Sequence, residues 1–111
     1  MIKEVNIAGQ MRPVSFEFST IALFGDLTGH NKLTEVQNLI TNIELKDVKF
    51  LVWAALKMGY KKAGRENVPT VDDVENWIDD DISLVTTVMG VYAESQVHDK
   101  KKETVKKKGK S

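Results

Sequence analysis

Two histidines, His30 and His98, and no cysteine make up the chain's whole supply of imidazole and thiol chemistry. His30 follows Thr28-Gly29, a helix-ending pair, and His98 opens a lysine-rich end. A nucleophile needs a base within hydrogen-bond reach, and a structural zinc ion needs four ligands. Two isolated imidazoles provide neither. The carboxylates are more concentrated: Asp72, Asp73, Glu75, Asp79, Asp80 and Asp81 crowd one short segment. They lack the glycine and closing glutamate of a calcium loop. Helix-start charges and a solvated face account for them. Gly59-Tyr-Lys-Lys-Ala-Gly64-Arg65 has the glycine spacing of a phosphate loop, but it lacks the Lys-Ser/Thr ending and follows a helix instead of opening one. We therefore expect no enzyme, no cofactor and no metal site.

What remains is recognition by apolar and aromatic side chains. Phe50, Trp53 and Tyr60 lie well off the main apolar stripe of their helix, beside Lys46 and Lys57. Leu84, Val88 and Val91 form a second apolar face on theirs. Aromatic residues dominate interface energetics, so these six are the candidate partner-binding residues, with Trp53 and Tyr60 foremost.

The elements that must position them follow from periodicity. Val5 and Ile7 alternate with polar neighbours, as do Val14, Phe16 and Phe18, and Ala8-Gly9-Gln10 is a turn between them. Residues 2–18 thus read as a hairpin, with Pro13 confined to an edge. A lone hairpin is marginal in water, so its apolar face must pack on the helices that follow. Ser19 or Thr20 caps a helix running to Leu27. Residues 34–43 carry Val36, Leu39, Ile40 and Ile43 at spacings of three and four, with Thr34 as cap. The strongest pattern is residues 45–62, where Val48, Leu51, Val52, Ala55, Leu56 and Gly59 share one stripe. Lys61, Lys62 and Gly64 close it. Thr70 and Asp73 form a near capping box for a helix ending near Asp80. The last helix, 82–96, has Ile82, Val85, Met89, Tyr92 and Ala93 on its other apolar face. The expected fold is mainly α: a hairpin packed on about five helices, over residues 1–97.

Charge divides the chain in two. Seven of its sixteen Lys and Arg, against two of its sixteen acids, fall in residues 98–111. The neutral total hides an acidic body and a basic tail. That tail holds Val105 as its one sizeable apolar residue, too little to offset the entropy of ordering it, so we read 98–111 as a disordered lysine-rich tail. The start, Met1-Ile-Lys-Glu-Val-Asn6, lacks the apolar stretch of a signal peptide. The longest uncharged run, Ile82 to Ala93, is too short to span a bilayer. A soluble, intracellular protein with no membrane partner is expected. A helix-turn-helix would use residues 71–80 for recognition, and their carboxylates would repel phosphates.

The order of local patterns resembles the tail assembly chaperone family of long-tailed bacteriophages and prophages. Val5-Asn-Ile-Ala-Gly9 followed by Val14-Ser-Phe-Glu-Phe18 looks like that family's opening hairpin. Phe50-Leu-Val-Trp-Ala-Ala-Leu-Lys57 is similar to its apolar helix, and Thr70-Val-Asp-Asp-Val-Glu-Asn-Trp-Ile-Asp79 to its acidic one. The resemblance spans residues 2–97. It implies a chaperone of the host bacterial cytoplasm that binds tape-measure protein helices, keeps them soluble, helps tail-tube protein assemble around them, and is left out of the mature virion. It also implies a longer product made by ribosomal frameshift. The Lys-Lys and Gly-Lys pairs of Lys106-Lys-Lys-Gly-Lys-Ser111 suit A-rich slippery codons. Self-association is left open. The alternatives are a basic-tailed nucleic-acid accessory protein and a structural tail-completion or connector protein. Truncation after Val97 should leave the thermal midpoint unchanged. A fall of more than about 5 °C, roughly 1 kcal/mol for a domain this size, would show that the tail packs on the body.

Overall fold

A computed structural model describes residues 2–110, with side chains from 2 to 96. The expected disordered tail, 98–111, lies outside the residues whose side chains are described. The order is β1 (Ile2–Ile7), β2 (Gln10–Ser15), α1 (Phe18–Thr28), α2 (Leu33–Thr41), α3 (Leu45–Ala63), α4 (Val71–Asp80) and α5 (Ser83–Lys110). This is the expected hairpin packed on five helices.

β1 and β2 pair antiparallel, with Ile7 opposite Gln10 and Ile2 opposite Ser15. The turn is Ala8-Gly9 alone, at φ 55° and 79°. Two successive positive φ values match the twist of the flanking strands. Gly9 adopts its value freely, while Ala8 carries the strain of a left-handed L-residue. Val5 shares a face with Arg12, as Lys3 does with Val14. On that face Val5, Ile7 and Val14 are buried.

The register decides how the hairpin meets the helices. Gln10 and Ile7 flank a two-residue turn, so theirs is a hydrogen-bonded pair, and such pairs alternate with non-bonded ones. The Glu4–Pro13 pair is therefore of the non-bonded kind, and the backbone polar groups of Pro13 point away from β1. They point at α3. A Cβ added to Gly59 would lie 2.1 Å from the Pro13 carbonyl oxygen and 2.8 Å from the Val14 Cα. The outer edge of β2 thus rests on helix backbone, at the one residue of that helix without a side chain.

β2 stops at Ser15, earlier than the alternation through Phe18 suggests. A helix start overrides the strand pattern there: the Glu17 amide donates to Thr20 Oγ1 at 3.4 Å, and Thr20 Oγ1 donates to the Ser15 carbonyl at 2.6 Å. Glu17, not Ser19 or Thr20, is the N-cap. Phe18 becomes the first residue of α1 and is left 77% exposed. In α2 the cap is Lys32 instead of Thr34. The Thr70–Asp73 box is present, with both hydrogen bonds at 3.0 Å. Gly64 ends α3 in the left-handed region at φ 69°.

α3 separates two apolar clusters. On one side Val52, Ala55, Leu56 and Tyr60 meet the hairpin, Val74 of α4, and Leu84 and Val88 of α5. On the other, Leu51 and Ala54 meet Phe24 of α1 and Val36 and Ile40 of α2. Phe16 borders both and packs edge-on against Tyr92, with centroids 5.3 Å apart.

Gly59→Ala should lower stability in urea denaturation by about 3 kcal/mol or more, because the clash is with backbone that no rotamer change relieves. Gly90→Ala is the matched control. No atom lies within 4 Å of a Cβ at that helical site, so it should gain roughly 0.8–1 kcal/mol of helix propensity.

Candidate partner-binding surface

The six candidate residues do not form one surface. Tyr60, Leu84 and Val88 are buried, Val88 completely at 0% exposure. Leu84 and Val88 belong to the cluster beneath the hairpin, and Val91 is half-buried against it. The face of α5 expected to meet a partner is the face that meets the core. Part of its other face is covered too, since Met89 and Tyr92 pack on the cluster around Phe24. Both stripes of α5 are used because the helix lies over the seam between the two clusters. Burial also pushes the Tyr92 hydroxyl above its ordinary pKa.

The aromatics of α3 are structural as well. Trp53 Nε1 donates to the Pro69 carbonyl at 2.7 Å, holding the loop that leads into α4. The Lys57 ammonium sits 5.0 Å from the Trp53 ring. Phe50 is half-buried on the Phe24 cluster, with the Lys49 ammonium 5.5 Å from its ring. Tyr60 receives a 2.9 Å hydrogen bond from Arg12 Nη1. The same guanidinium donates through Nε to the Ile7 carbonyl at 2.9 Å and lies 4.3 Å over the Trp77 ring. Arg12 thereby joins both strands to α3 and α4, with no carboxylate partner among the described residues. Trp53 and Tyr60, off the main stripe of α3, thus take partners from a loop and a strand distant in sequence.

Exposed apolar surface lies elsewhere, most of it at helix ends. Leu45 opens α3 and is 92% exposed, and Ile82, just before α5, is 73% exposed. Together with Val48, Ile78 and Val85 they line a groove of about 300 Å³. Its charged borders are Lys46 and Lys49 on α3 and Glu75 and Asp79 on α4. A second hollow, of about 250 Å³, lies between α1 and α2 with Phe18, Ile21, Leu33 and Val36 around it. Leu33 is half exposed there. Leu45 belongs to the same helix as Phe50 and Trp53 and is its first residue. The missing signal was the end position, since a helix's first turn projects beyond the layer that covers its middle.

Among the described residues, no group of three or more His, Asp or Glu side chains is placed to hold a metal ion. His30 Nδ1 lies 3.0 Å from the Thr28 carbonyl, a contact within the turn that ends α1. No described helix is long and apolar enough to cross a membrane.

Val88→Asp should abolish the folded state, because a carboxylate would be stranded in the apolar cluster; burying an unpaired charge is among the costliest single changes. Loss of the cooperative thermal transition checks this, and a folded variant would mean that α5 is detachable.

No protein-family model, no curated protein and no solved structure matches this chain.

Proposed function

We propose that the chain is a tail assembly chaperone of a long-tailed phage or prophage, which binds and solubilises the helical tape-measure protein and promotes assembly of the tail tube. The observation that carries this reading is the pair of apolar hollows at helix ends, bordered by Leu45 and Ile82 and by Phe18 and Leu33. A domain of this size ordinarily keeps large apolar side chains from clustering at its surface, and clusters that persist mark interaction sites. An amphipathic helix laid in a hydrophobic groove is a general mode of peptide recognition, and a long helical protein is rich in such segments. The hairpin-on-helices architecture agrees with what the sequence resemblance implies.

The test is co-expression with segments of a phage tape-measure protein. Those segments should move from the insoluble to the soluble fraction and co-purify with the chain. Segments equally insoluble with and without it would overturn the reading. Strongly salt-dependent DNA affinity that vanishes on deleting 98–111 would favour the nucleic-acid alternative instead. Copies of the chain in purified virions would favour the connector.

A further inference from the structure

The groove at the junction of α3, α4 and α5 has a sidedness that the other hollow lacks. Its floor is Val48, Ile78 and Val85, half-buried against the hairpin cluster. Leu45 and Ile82 stand at its rim. The α3 wall supplies only cations, Lys46 and Lys49, and the α4 wall only anions, Glu75 and Asp79. Lys49 and Glu75 bind each other at 3.2 Å across the two helices. Lys46 and Asp79 are left, with no ion-pair partner among the described residues.

The walls are helices, and no strand edge borders the groove. An extended segment laid there would find no ladder for its amides and carbonyls. A helix satisfies its own backbone and needs only side-chain contacts. We propose that this groove seats an amphipathic α-helix whose apolar stripe is flanked by acidic residues on one side and basic residues on the other, acid toward Lys46 and base toward Asp79. The inference rests on the helix-binding function above, but its test uses free peptides and can fail while that function stands. The opposed walls also set direction. A helix with unlike flanks pairs both charges in one orientation, and when reversed end to end it sets like charges together at both walls.

The probes are three fluorescent helical peptides with the same leucine stripe at i, i+3, i+4 and i+7. One has unlike flanks, one has two acidic flanks, and one has two basic flanks. Fluorescence anisotropy against the full chain should show the unlike-flank peptide binding about threefold to tenfold more tightly than either other, as expected of a few exposed charge contacts. Asp79→Lys makes the unpaired charge of both walls basic, since Glu75 is held by Lys49, and should shift the preference to the acidic peptide. Lys46→Glu should shift it to the basic one. Leu45→Asp should weaken all three about tenfold or more. It leaves the fold intact, because Leu45 is exposed and an acid in the first turn of α3 suits the helix dipole. Unchanged thermal melting checks that. No binding to the wild-type chain, binding indifferent to Leu45→Asp, or a preference unmoved by both charge reversals would each overturn the proposal. Peptide failure alongside successful solubilisation of tape-measure segments would remove this seat and leave the function. The expected peptide pattern without solubilisation would leave the seat and assign it to another helical partner.

Discussion

The contact between the outer edge of β2 and α3 governs the rest of the molecule. A strand edge buried under a helix ordinarily leaves an amide with no acceptor. Here the residue at that point is Pro13, which has no amide hydrogen to leave unpaired. Its carbonyl needs room, and Gly59 provides it by having no side chain. Neither substitution works alone. A different residue at 13 would bury a bare donor, and a different residue at 59 would push the strand off the helix. Because β2 lies this close, α3 can bury Val52, Leu56 and Tyr60 beneath the hairpin while Leu51 and Ala54 serve the opposite cluster. One helix thereby becomes the partition of a two-part core.

That partition explains why the surface is distributed as it is. The middle of α3 is covered on nearly every side, so its aromatics serve as internal fasteners: Trp53 for the loop before α4, Tyr60 for Arg12. α5 lies over the seam between the clusters and spends both of its apolar faces there. Helix ends project past the packed layers, and the exposed apolar residues Phe18, Leu33, Leu45 and Ile82 all stand at or next to one, while Met11 is exposed on β2. Recognition by this fold is accordingly a property of its corners.

Much of this was legible residue by residue. The α3 stripe, the Gly64 cap and the Thr70–Asp73 box are local signals, each complete within a few positions and each where periodicity and capping chemistry place it, and the Ala8-Gly9-Gln10 turn is there too, shortened by Gln10, which opens β2. What was not legible depends on residues far apart in the chain. Nothing near Phe16 or Phe18 opposes a longer strand except the hydrogen bond from Thr20 back to Ser15. A helical wheel distinguishes two apolar faces on α5 but holds no information about a seam that requires both. Gly59 was visible as a member of the stripe, yet its real role, opposite Pro13, becomes apparent only when strand and helix are seen together.

The strand that Gly59 receives is made early, and the helix that carries Gly59 is made late. A two-stranded hairpin has little stability of its own in water, and this one draws its cover from residues more than forty positions downstream. During synthesis Val5, Ile7 and Val14 therefore leave the ribosome with nothing to pack against until most of α3 has followed. α1 and α2, made in between, bring Phe24, Val36 and Ile40 to the second cluster, whose remaining buried residues, Leu51 and Ala54, also come from α3. The hairpin precedes its cover in the chain, so the nascent protein passes through an interval in which the hairpin's apolar face is open to whatever else is being made nearby.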